Sequence, residues 1–143
     1  MYQPRHFNIY ELTCKHVYDK FGDTAFQIFD EKLLRTLDLL RDHLGSITVN
    51  TWHEGGQYSQ RGFRCLKCSI VQDNIMSSTD YVSAHMTGQA ADFDVRGLKS
   101  EIVRQWIIDN QILLPYPVRL ERDVDWVHCD TRDTGQKVYL FNS

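Results

Sequence analysis

The chain has 143 residues, enough for one domain with one sizeable core and too few for two. Charged residues make up 24% and apolar residues 42%, a balance that argues against disorder and points to an ordinary globular fold. The formal net charge of −3 supplies neither a basic stripe for a nucleic-acid backbone nor a polybasic patch for a membrane surface, and no run approaches the roughly 18–20 apolar residues of a membrane span.

In chain order, Met1-Tyr2-Gln3-Pro4-Arg5-His6 lacks an apolar signal core, so the expectation is a protein made and kept in the cytoplasm unless something else releases it. A monomer is the default state. Phe7 to Phe21 mixes helix formers with Phe7, Ile9, Leu12 and Val17 and reads as a short helix closed by Gly22. Asp30, or a residue just before it, caps a second helix running to about His43. Its Leu33, Leu34, Leu37, Leu40 and Leu44 fall on one stripe facing the core, and Gly45 ends it. Ser46 to Trp52 alternates, with Ile47 and Val49 on one face, and predicts a strand.

From His53 to about Ser83 the pattern collapses. Gly55-Gly56, Ser59, Gly62 and Ser77-Ser78 surround one short apolar patch, Ile70-Val71. A loop of that length inside a small domain is usually functional, and this one is expected to wall a cleft. Ala90 to Val95 predicts a second strand, with Asp92 and Asp94 on one face and Ala91, Phe93 and Val95 on the other. Ser100 is expected to cap a helix with Ile102, Val103, Trp106 and Ile107 inward. Val118-Arg119-Leu120, Trp126 to Cys129 and Lys137 to Phe141 complete a small sheet. The fold class expected is therefore α+β in a single domain spanning 1–143, with N-terminal helices packed on a mainly antiparallel sheet.

Four cysteines in a chain without a secretory signal point to reduced thiols. Cys65 and Cys68 form a C-x-x-C pair that suits a structural zinc; the plainer expectation is thiols with packing roles. Chemistry concentrates elsewhere, in Ser83-Ala84-His85-Met86-Thr87-Gly88-Gln89-Ala90-Ala91-Asp92 and in Asp125-Trp126-Val127-His128. Two imidazoles and a carboxylate are the donor set of a catalytic zinc, which takes three protein ligands and keeps one position for water. His85, Asp92 and His128 are the candidate ligands of one catalytic zinc ion, although manganese, cobalt or nickel would also fit these donors, with Asp94 the rival carboxylate. Asp125 is the candidate general base, provided the strand begins or bends at Trp126; Glu121 and Asp130 are its alternatives. Asp130 shares the face of His128 and suits equally an acceptor that holds its imidazole.

The pattern S-x-H-x-x-G-x-A-x-D followed by D/E-x-x-H resembles the zinc D-Ala-D-Ala carboxypeptidases and L-Ala-D-Glu endopeptidases that cut peptidoglycan stem peptides, a group that includes vancomycin-resistance dipeptidases and several phage endolysins. The resemblance is strongest from about Ile47 to Asp130, and the opening Phe7-Asn8-Ile9-Tyr10-Glu11-Leu12-Thr13-Cys14 also looks like the N-terminal segment of small single-domain members. It implies a DD-peptidase/hedgehog-like fold, zinc on His85, Asp92 and His128, Asp125 as base, and Ser83 bonded to substrate. The implied substrate is a peptidoglycan peptide, with no nucleic-acid or membrane partner, and the implied setting a phage or prophage lysin. Members commonly carry arginine in a segment like S-G-Y-R, where this chain has Asn50-Thr51-Trp52-His53. Arg61 and, next, Arg64 are the expected substitutes for binding substrate carboxylate, and His53 either lines the cleft or ends the strand. A non-catalytic zinc-containing cell-wall-binding or virion structural module is the alternative function.

Overall fold

The computed structural model describes residues 1–77 and 80–143; Ser78, part of the expected cleft wall, lies outside them. The core starts from the leucine stripe. Helix α3 (Glu31–Leu44) opens at Asp30, whose side chain accepts from Lys32 N, and stops at Gly45. Leu33, Leu34, Leu37 and Leu40 are buried on its inner face and join one apolar cluster with Ala91, Phe93 and Val95 of strand β2 (Ala90–Val95). Helix α5 (Ser100–Asp109) packs on the same sheet through Val103 and Ile107. Strands β1 (Ile47–Thr48), β3 (Val118–Glu121), β4 (Val127–Asp130) and β5 (Val138–Phe141) complete a five-stranded sheet ordered β1-β2-β4-β3-β5. Its pairings are antiparallel except β3 with β5. The fold is a small single-domain α+β structure with a mixed, mainly antiparallel sheet. Among the described residues no helix is long and apolar enough to cross a membrane.

Several local expectations change, among them Ile102, expected on the inner face of α5 and found exposed. The first helix is two, α1 (Ile9–Leu12) and α2 (Lys15–Phe21). The chain opens between them because Phe63 N donates to the Leu12 carbonyl, and the Thr13 carbonyl accepts from Asn50 Nδ2 and Trp52 Nε1; these long-range bonds outweigh a weak helical preference. The strand expected to reach Trp52 pairs only at Ile47 and Thr48. Past that point the β2 edge is taken by the next loop, since Asp92 N donates to the Arg61 carbonyl, while Asn50 N turns to Glu11.

The long stretch expected as loop contains helix α4 (Ser69–Ser77), which buries Val71. Gln60 starts it, its amide accepting from Ile70 N and donating to Ser69 Oγ, a tertiary cap invisible in local pattern. Finally, the N-cap of α5 is Lys99; Ser100 is its first helical residue and donates instead to the Val124 carbonyl.

Candidate functional site

The register of β2 against β4 builds the centre of the site. Asp92 and His128 are direct cross-strand partners, so their side chains leave the same face of the sheet as neighbours. His128 Nδ1 lies 2.8 Å from Asp92 Oδ1. Two residues along β4, Asp130 shares that face and takes the other ring nitrogen, Nε2, at 2.8 Å. Asp130 is fully buried and is gripped by Arg119, its partner across β3, whose Nε and Nη2 each donate over 2.8 Å. This two-pronged bond fixes the carboxylate, and the carboxylate fixes the imidazole.

His85 arrives from a different element. It sits in a 3₁₀ turn, Ala84–Thr87, that Gly88 closes with φ at +70°. A side chain at Gly88 would also collide with the Ile28 carbonyl; glycine is required twice over there. His85 Nδ1 donates to the Gly62 carbonyl at 2.9 Å, which leaves Nε2 facing Asp92 Oδ2 at 3.4 Å. His85, Asp92 and His128 are all buried, with one ligand atom of each within 4.8 Å of the others. The two distances to Asp92, 2.8 Å from His128 and 3.4 Å from His85, lie near the spacing of donors about one ion, since ligands about 2.0–2.1 Å from a tetrahedral centre stand about 3.3 Å apart. The trio could hold a metal ion. Asp94 does not join it: its half-exposed side chain is paired with Arg61 at 2.9 Å.

The electrostatics suit a cation. Burial alone would raise the Asp92 carboxyl, yet hydrogen bonds from His128 and His85 outweigh it and hold the group well below the usual carboxylate range. Burial alone would lower His128, but Asp130 and Asp92 push it up to about 9. For Asp130 too burial is outweighed, by His128 and Arg119, and its carboxyl is held low. Without metal, then, a proton on His128 balances two carboxylates. A divalent cation must displace that proton, so binding weakens on acidification.

The segment 61–64 laces the site together. Arg61 is anchored through its carbonyl to Asp92 N and through its amide to Asn50 Oδ1; Arg64 N donates to the His85 carbonyl. Both guanidinium groups are nearly buried. Arg61 stacks over Tyr58 and pairs with Asp94, whereas Arg64 Nη2 lies 3.2 Å from Asp92 Oδ2. Gly62 between them permits the close pass, because any Cβ there would overlap the Leu12 carbonyl. Gly62→Ala is expected to cost about 3 kcal/mol through overpacking, to lower the midpoint of thermal unfolding by roughly 10 °C, and to loosen His85 with it; calorimetry of the variant checks this.

Asp125 stands on the exposed link between β3 and β4, two residues before the strand begins at Val127. The link turns through Asp123 at φ 58° and is pinned to α5 by Arg104, which donates to the Val124 and Trp126 carbonyls, and by Ser100. A cleft of about 480 Å³ is lined by Asp125, Trp126, Asp92, Arg61 and Arg64, with Tyr58 and Ile70 as apolar wall. A larger hollow of about 640 Å³ beside α5 shares Asp125 but is lined by no member of the trio, whereas Asp92 lines the smaller one. Ser83 precedes the His85 turn without capping it, and its buried Oγ has no hydrogen-bond partner. His53 stacks on Tyr10 at 3.8 Å within an aromatic group with Tyr18 and Trp52, outside this cleft.

A second group was only half legible. Cys14, His16, Cys65 and Cys68 converge with one ligand atom each within 4.8 Å and could also hold a metal ion. The C-x-H at the α1–α2 break, read beside C-x-x-C, is the signal that would have found His16. The closeness of the two thiols draws Cys14 down and pushes Cys68 up. No family model, curated protein or solved structure matches this chain.

Proposed function

We propose that this protein is a zinc-dependent peptidase that hydrolyses a peptide bond in the stem peptides of bacterial peptidoglycan, of the D-Ala-D-Ala carboxypeptidase or L-Ala-D-Glu endopeptidase type, in the setting of a phage or prophage lysin. The observation that carries this reading is the commitment of both imidazoles. His85 spends Nδ1 on Gly62 and His128 spends Nε2 on Asp130, so Nε2 of the first and Nδ1 of the second are turned toward the Asp92 carboxylate. Three protein donors with oriented rings are the ligand set of a catalytic rather than a structural zinc. When bound there, zinc supplies Lewis-acid polarisation of the scissile carbonyl and a water of lowered pKa.

The remaining steps belong to the chain. Asp125 accepts a proton from the attacking water and delivers it to the leaving amine. Arg64 or Arg61 holds a substrate carboxylate or the developing oxyanion; both line the cleft, Arg64 paired with Asp92 and Arg61 with Asp94. The resemblance assigns Ser83, whose buried hydroxyl has no hydrogen-bond partner, a bond to the peptide. Tyr58, Ile70 and Trp126 cover the apolar part of a short peptide and limit its contact with water.

The substrate class comes from the resemblance of the Ser83–Asp92 and Asp125–His128 motifs to the peptidoglycan peptidases. Digestion of purified peptidoglycan, followed by mass analysis of the fragments, tests it. Cleavage within or at the end of the stem peptide is expected, abolished by a chelator and restored by zinc. Turnover indifferent to chelation, or none with zinc supplied, would refute the enzyme.

A further inference from the structure

We infer that Cys14, His16, Cys65 and Cys68 form a second, structural zinc site that clamps the segment carrying Gly62 and Arg64. The four residues come from two places far apart in sequence, the α1–α2 break and the turn entering α4. Cys65 Sγ lies 3.9 Å from Cys68 Sγ and 3.5 Å from His16 Nδ1, and Cys68 Sγ lies 4.0 Å from the same nitrogen. A tetrahedral zinc with bonds of about 2.3 Å to sulfur and about 2.0–2.1 Å to nitrogen sets its ligands about 3.8 Å apart for two sulfurs and about 3.5 Å for sulfur and nitrogen. The three distances among Cys65, Cys68 and His16 lie close to that tetrahedron, and Cys14 completes the group with its sulfur within 4.8 Å of the other ligand atoms. The sulfur–sulfur distance is nearly twice the roughly 2.05 Å of a disulfide.

The surroundings are built for thiolates. Lys67 N points at Cys65 Sγ over 3.4 Å, Val17 N–H reaches Cys14 from the first turn of α2, and Cys68 immediately precedes α4. Backbone donors of this kind stabilise sulfur that has lost its proton. Four protein ligands fill the coordination sphere, so this ion binds no substrate. Its effect is positional. Phe63, between Gly62 and Arg64, bridges to Thr13, and Cys14 and Cys65 flank that bridge; a zinc joining them holds the Gly62 carbonyl under His85 and Arg64 beside Asp92.

Plasma mass spectrometry of protein purified in zinc is expected to find two equivalents, falling to one in Cys65→Ser and to one in His85→Ala, with the cysteine variant losing more unfolding temperature. Cobalt reconstitution of the unaltered protein gives thiolate-to-cobalt charge-transfer absorption in the near ultraviolet, a readout that survives if Cys65→Ser fails to fold. One equivalent that is indifferent to Cys65→Ser and no charge-transfer band would overturn the site, as would a protein mass showing a disulfide among these cysteines. One equivalent lost in Cys65→Ser yet kept in His85→Ala would support it while removing the catalytic zinc, so the two readings fail separately.

Discussion

Asp125→Asn is expected to lower kcat on stem-peptide substrates by about 10²–10⁴-fold, the usual contribution of a positioned general acid–base, while leaving bound zinc and unfolding temperature close to those of the unaltered protein. The substitution keeps shape and removes only the capacity to take a proton. Because the side chain is exposed on the β3–β4 link, its effect on stability should fall within about 0.5 kcal/mol. The two alternatives read from the sequence are poorly disposed. Asp130 is buried and spends both oxygens on Arg119 and His128, and Glu121 does not line the cleft. Steady-state kinetics together with metal analysis check the prediction. Loss of zinc along with activity would make Asp125 a ligand instead, and unchanged kcat would move the base elsewhere.

How much of this was legible in the sequence follows from the range of the interactions involved. The leucine stripe of α3 and the alternation of β2 are local patterns, and both elements formed where they were expected, with Asp92 and Asp94 on the face away from Phe93. What failed was decided at long range. Thr13 is pulled out of a helix by Asn50 and Trp52, and α4 is started by Gln60, nine residues away. The meeting of His85, Asp92 and His128 was a wager on spacing, and the β2–β4 register that joins two of them is not encoded in any one segment. The roles of Gly62 and Arg119 were invisible for the same reason. One contributes only a carbonyl, the other a guanidinium two contacts from the trio. Asp130 could be placed on the face of His128 by parity alone, and the structure has it holding that imidazole.

His128→Ala should remove one equivalent of zinc and reduce turnover below detection, because two ligands hold a catalytic zinc far more weakly than three. The fold is expected to survive. Asp130 keeps its two bonds from Arg119, and Asp92 keeps Arg64 and His85, so neither carboxylate is left buried and unpaired. Asp130→Asn is the graded companion. An amide cannot both accept from His128 Nε2 and match the two donors of Arg119, so the ring loses its orientation while the three ligands remain, and zinc affinity should fall about 10–100-fold. Competition against a chelator of known strength measures both, with zinc at the cysteine site serving as the internal reference that neither variant disturbs. Full occupancy and full activity in His128→Ala would take the metal away from this trio, and the peptidase with it.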